Sequence, residues 1–196
     1  ETDLINKPQN VVIHKTISES VAYNLYFALN ITGVVIGYYI SNVVNKPSML
    51  LVFIATSSLL YVYSTMLKQI LLVGNLIISL LIALSVLIIP IFLLFPIINV
   101  NNQQEFSVLF SIFLDYAVFA FVINLIREII KDIEDYKGDL QEDLKTLPVV
   151  IGISKTAKIT AILCVLTAIY IVYYSYHFYF INNLNITTLY TVTFVI

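Results

Sequence analysis

Five stretches of this chain are apolar for long enough to cross a membrane, and that limits every other choice. They lie near residues 17–41, 48–66, 71–98, 106–126 and 156–176, and a sixth starts around 187 and is expected to continue past residue 196. The hydrocarbon core of a bilayer is about 30 Å thick, which takes about 20 helical residues to cross. With no water in that layer the backbone must satisfy itself, and long runs without alternation predict helices and not barrel strands. Composition agrees: 60 % of the 196 residues are hydrophobic and 11 % charged, which excludes an ordinary soluble globule. The expectation is an all-α, polytopic transmembrane helical bundle, a single but partial membrane domain over 1–196. A net charge of −2 with no basic patch gives no sign of a nucleic-acid partner, and no protein partner is implied. The single cysteine, Cys164, sits in an apolar run and reads as packing.

Between the fourth and fifth runs the character reverses. Residues 127–145 carry eleven of the twenty-two charged side chains, and seven of the eleven are acids. At 100° per residue, Asn124, Glu128, Asp132, Asp135 and Asp139 fall within an arc of about 80° on one helix. Gly138 is the expected breaking point of that helix. Carboxylates three and four residues apart repel unless a cation sits among them. Two readings fit: a solvated polar loop, or a site for a hard divalent ion. Mg²⁺ suits the second, since it is usually held by one or two acids together with substrate phosphates.

The loops alternate sides, and their basic residues are lopsided. Lys7, Lys15, Lys68, Arg127, Lys131, Lys137, Lys145, Lys155 and Lys158 fall on one face and Lys46 alone on the other. This bias predicts that the acidic block faces the cytoplasm, in a multi-pass protein of the cell inner membrane. Pro90 and Pro96 should kink or end the third run. Asp115 lies mid-run and should face the bundle interior. It is about 25 Å of helix from Asp132 and so stands outside the candidate site.

Three polar segments share the basic face: Glu1-Thr-Asp3-Leu-Ile-Asn6-Lys7-Pro8, then Tyr63-Ser64-Thr-Met-Leu-Lys68 with Gly74-Asn75, then the acidic block closed by Lys145-Thr146-Leu147-Pro148. Together they resemble the UbiA superfamily of intramembrane prenyltransferases. The first resembles the tail of the family's NxxxDxxxD motif, with Asp3 as its last aspartate. The second is similar to the Tyr–Lys segment of an inter-helix loop, although Tyr63 to Lys68 is one residue longer than YxxxK. The third resembles the second aspartate-rich motif in a form typical of the branch with digeranylgeranylglyceryl phosphate synthases.

The resemblance implies a bundle of nine transmembrane helices around a central cavity, of which this chain would cover the end of the second to part of the eighth. It implies Mg²⁺ held by Asp3 in one cluster and by Asp132, Asp135 and Asp139 in another, facing a prenyl diphosphate. Lys68 and Lys145 would add positive charge beside the leaving group, and Lys7, Tyr63, Asn124 and Arg127 would join in binding substrate. Each has a plainer reading. The lysines also serve as anchors at helix ends, Tyr63 is one of fourteen tyrosines and suits an interfacial belt, Arg127 can pair with Glu128, and Asn124 can cap a helix end. The implied activity moves a polyprenyl group to a membrane-borne acceptor. A lipid alcohol such as geranylgeranylglyceryl phosphate comes first and an aromatic quinone precursor second. A transporter or channel is the rival of another class, but transporters place their acids near the bilayer midplane. Without the Asn and Asp expected ahead of Glu1, residues 1–196 alone are expected to be inactive.

Overall fold

A computed structural model describes residues 2–13 and 15–181, apart from the side chains of Thr2, Asp3, Tyr179 and Phe180. The expected sixth run and His14 lie outside the described residues. The short helix α1 (Thr2–Asn6) leads to α2 (Glu19–Val43), whose first turn is capped by the Ser18 hydroxyl accepting from the Val21 amide. Then follow α3 (Leu50–Thr65), α4 (Val73–Leu94), α5 (Gln103–Glu134), α6 (Tyr136–Gln141), α7 (Leu147–Ile151) and α8 (Ile153–Tyr174). Among the described residues, five helical stretches are long and apolar enough to cross a membrane: Glu19–Val43, Pro47–Thr65, Val73–Ile97, Gln103–Glu134 and Ile153–Phe178. The protein is an integral membrane protein of helical fold.

The exteriors of these helices are apolar. Leu29, Ile31 and Ile162 are each 60 % or more exposed, which a soluble protein would avoid and lipid rewards. Many of the buried residues are small or weakly polar, Ser41, Ser79, Ala83, Ala117, Thr156 and Thr160 among them. Small residues let helix backbones approach where hydrophobicity gives no drive between them. Gly37 is the sharpest case. A Cβ there would lie 2.4 Å from Cγ of Phe53, so α2 and α3 meet at this distance because Gly37 has no side chain.

Two expectations need correction. The fourth run, expected over 106–126, belongs to a helix of 32 residues. At 1.5 Å per residue it is about 48 Å long, so its last turns project well beyond the membrane core. The helix does not break at Gly138, which lies inside α6; it ends at Asp135, so Asp139 stands on a second helix. Of the two prolines expected to kink or end the third run, Pro90 does not end α4, which runs on to Leu94, and the stop falls at the 3₁₀ turn that contains Pro96. Asp115 turns toward α8 as expected, accepting a hydrogen bond from the hydroxyl of Tyr174, whose ring packs edge-on against Phe119.

Candidate active site

The projecting end of α5 is the scaffold of the site. Its helical period puts Asn124, Glu128 and Asp132 on the side that packs against α4, and Asn124 and Glu128 are buried. Polar side chains join the two helices there. The Asn124 amide donates to the Ser79 hydroxyl at 3.2 Å, Ser79 donates to the Asn75 carbonyl at 2.6 Å, and Asn75 Nδ2 donates to Asp132 Oδ2 at 2.8 Å. Asn124, Ser79, Asn75 and Asp132 are thereby matched to one another, which fixes how α4 and α5 sit against each other.

The turn before α4 brings in the second element. Tyr63 lies in the last helical part of α3 and Lys68 in the 3₁₀ turn Leu67–Gln69. Leu72 takes the left-handed conformation at φ 58° to redirect the chain into α4. A Cβ on Gly74 would come within 3.1 Å of the Leu67 carbonyl oxygen and of Lys68 Cα, so the glycine lets the lysine turn pack against the helix. The segment after α6 is tied to the same turn, with the Lys145 amide donating to the Gln69 carbonyl at 3.4 Å.

The outcome is a polar cleft lined by Tyr63, Lys68, Asn75, Glu128, Lys131 and Asp132, with Gly74, Asp135, Asp139 and Thr146 completing its wall. It encloses about 20 Å³, room for one ion or one water. Burial, above all, raises the Asp139 carboxyl above its usual value. The charge of Asp135 adds to that, while Thr146, Lys68 and Lys131 oppose it. Thr146 favours the charged form by proximity, since its buried hydroxyl closes no well-formed hydrogen bond. Oδ1 of Asp135 is likewise buried without a hydrogen bond, although the Lys7 ammonium lies 3.2 Å away as a counter-charge. Lys7 also pairs with Glu134 at 3.2 Å, and these two acids raise its own pKa.

These ligand atoms suit a hard divalent ion: they are carboxylate and hydroxyl oxygens, of which the buried Thr146 hydroxyl has no hydrogen-bond partner and the buried Asp135 Oδ1 meets only the Lys7 ammonium. Among the described residues no three acids converge on a single point. Mg²⁺ does not require three, because it keeps waters and takes its remaining ligands from phosphates.

Of the residues expected from sequence, the cleft gathers Tyr63, Lys68, Asp132, Asp135 and Asp139. It does not gather the rest. Asn124 lies two turns of α5 before Asp132, in the α4–α5 contact. Arg127 is 70 % exposed and pairs with Glu128 at 2.9 Å. The Lys145 side chain is exposed, and Lys7 sits outside the cleft wall behind Asp135. The side chain of Asp3 falls outside what is described. The sequence assigns no role to Asn6, Lys131 or Thr146, whereas Glu128 stands on the acidic arc and lines the cleft. Asn6 and Thr146 arrive through contacts distant in sequence and gave no local signal.

Acids and lysines thus share one small cleft in a bundle of membrane-length helices. The chain belongs to the UbiA prenyltransferase family, whose model matches residues 1–196. It is 33 % identical over 161 residues to the digeranylgeranylglyceryl phosphate synthase of Methanobrevibacter smithii, covering 82 % of this chain and 52 % of that protein. The synthase of the same name from Saccharolobus solfataricus is 32 % identical over 165 residues, covering 83 % and 52 %. That of Thermococcus gammatolerans is 53 % identical over a shorter stretch of 45 residues, 23 % of this chain and 16 % of that protein. The chain spans about half the length of the first two relatives. No solved structure matches it.

Proposed function

We propose that the protein takes part in transferring a polyprenyl group from a prenyl diphosphate to a membrane-borne lipid alcohol, with geranylgeranylglyceryl phosphate as the favoured acceptor. The observation that carries this reading is the succession of two spaces along α3 and α4. The polar cleft holds Tyr63 on α3 and Asn75 on α4. One to two turns further along the same helices begins a lipid-facing chamber of about 430 Å³, lined by Leu29, Val34, Phe53, Leu60, Leu84 and Ile88. A molecule with a diphosphate head and an isoprenoid tail suits that pair of spaces, and it suits them in this orientation.

The cleft is too small for a diphosphate, which would lie at its rim with Lys68 and Lys131 offering positive charge. Asp132, Asp135 and Asp139 are the residues that would hold Mg²⁺. Bound there, the ion supplies Lewis-acid neutralisation of charge developing on the leaving diphosphate. In the reaction the prenyl C1–O bond breaks and its electron pair leaves with the diphosphate. The acceptor hydroxyl oxygen forms the new bond to C1 and gives up its proton to the departing diphosphate. Apolar chamber walls limit access of water to C1, which would otherwise compete with the acceptor.

The basic-residue bias supports a cytoplasmic cleft in the inner membrane. The reading further holds that residues 1–196 expressed alone give no product, because Asp3 would stand without the earlier acids of its motif. The test is incorporation of label from geranylgeranyl diphosphate by the full-length protein. Geranylgeranylglyceryl phosphate and 4-hydroxybenzoate are supplied in parallel, with and without Mg²⁺. Label in the glyceryl lipid is the expected result. Label in the aromatic acceptor alone would reassign the substrate, and label in neither would overturn the reading.

A further inference from the structure

The start of α6 shows an unusual division of labour. Asp135 occupies the N-cap position of this helix, where an aspartate normally folds back to accept from the amide two or three residues on. Its side chain caps nothing here. The amide at the third helical position, Gly138 N–H, is taken at 2.9 Å by Oδ1 of Asn6, 132 residues earlier in the chain. The same Asn6 side chain uses Nδ2 to donate to the Asp135 carbonyl at 2.9 Å. A single amide from α1 thus grips both ends of the turn that separates Asp135 from Asp139.

Capping by a residue from elsewhere has a consequence for Asp135. The donor that would have drawn its carboxylate onto its own helix is already engaged. Oδ1 of Asp135 is buried and meets only the Lys7 ammonium, 3.2 Å away outside the cleft wall, and the residue lines the polar cleft. We propose that Asn6 is a positioning residue: by capping α6 in place of Asp135, it keeps the Asp135 carboxylate available as a ligand in the cleft. The inference rests on the metal reading given under Proposed function. With Asn6 removed, Asp135 can rotate to cap Gly138 itself. The helix keeps a cap and the cleft loses a ligand. A partner that only stabilised the fold would show the reverse pattern.

The probe is Mn²⁺ alone, titrated into the full-length protein in nanodiscs and read by electron paramagnetic resonance, so that turnover plays no part. Asn6→Leu should weaken Mn²⁺ binding by about tenfold or more, as loss of an outer ligand support typically does, and should leave the unfolding temperature unchanged. Asn6→Asp keeps an acceptor for Gly138 N–H but gives up the donor to the Asp135 carbonyl, so it should bind Mn²⁺ more tightly than Asn6→Leu. If Asn6→Leu fails to fold, Asn6→Ala replaces it with the same loss expected, and parent-like binding by Asn6→Ala overturns the inference. Parent-like binding by Asn6→Leu would overturn the inference and leave the metal reading intact, as would equal losses in both variants. A parent protein whose Mn²⁺ binding is absent, or indifferent to Asp135→Asn, would overturn the metal reading and this inference with it.

Discussion

Asn75 on α4 donates through Nδ2 to Oδ2 of Asp132 on α5 at 2.8 Å, joining two residues 57 positions apart. The bond does two things at once. It closes the polar ladder that registers α4 against α5, and it orients one oxygen of a half-buried carboxylate so that the other can face the cleft.

Asn75→Leu should therefore impair diphosphate binding as well as packing. A hydrogen bond to a charged group is worth about 1.5–3 kcal/mol, so affinity should fall by about tenfold or more. Asn42→Leu is the control, because Asn42 is exposed and donates only to the Tyr38 carbonyl of its own helix. Competition binding of a prenyl thiodiphosphate measures both, and equal effects would remove Asn75 from the site.

The raised pKa of Asp139 predicts a pH dependence with a definite sign. In the unfolded chain this carboxyl titrates near 3.8, and burial moves it higher in the folded protein. Between the two values the folded state binds more protons, so the free energy of unfolding declines as pH rises through that window and levels off above it. Thermal unfolding of the metal-free protein should show Tm falling across this range, and Asp139→Asn should flatten the slope. A Tm that climbs with pH there, and does so through Asp139, would contradict the placement of this acid.

Gly37→Ala places a methyl 2.4 Å from Cγ and 2.9 Å from Cβ of Phe53, atoms too close to the α3 backbone to swing aside. Overpacking of this type costs about 1–3 kcal/mol. Gly33→Ala, with nothing within 4 Å, should be nearly neutral. Unfolding in mixed micelles distinguishes them, and Gly37→Ala combined with Phe53→Ala should recover part of the loss. Equal stability of the two single variants would mean that α2 and α3 are not in this contact.

Lys68 and Lys46 offer a comparison across the membrane. Lys68 lines the cleft, whereas Lys46 sits 6.0 Å over the ring of Phe95 at the other end of the bundle. Lys68→Ala should lower turnover by about 100-fold, the scale of losing one electrostatic donor to a developing anion. Lys46→Ala should leave turnover within about twofold, as surface changes usually do. Similar losses from both would mean that stability, not diphosphate contact, was being read.

Much of this arrangement was legible before any coordinates, for identifiable reasons. Membrane runs declare themselves by length alone, and the acidic arc of Glu128 and Asp132 follows from helical period. What stayed hidden depends on contacts distant in sequence. The helix ends at Asp135 and not at Gly138, a choice made where Asn6 reaches both ends of the turn from α1. Lys145 and Arg127 carry the right charge at motif positions yet point to solvent, because α6 and the end of α5 bury the acids and leave these lysine and arginine heads outside. Asp115 announced an inward role by its cost in lipid, but its partner Tyr174 lies 59 residues on, and no local pattern names it.

Asp135 and Asp139, together with Asp132, are proposed to hold the cation for a prenyl diphosphate. The most direct measurement is prenyl transfer by the full-length protein carrying Asp135→Asn or Asp139→Asn, assayed across a range of Mg²⁺ in nanodiscs with Mn²⁺ binding read on the same samples. The account predicts that each variant folds, loses product by about 100-fold or more, and regains part of it only at high Mg²⁺. Near-normal transfer in both variants at the Mg²⁺ level that serves the parent would contradict it.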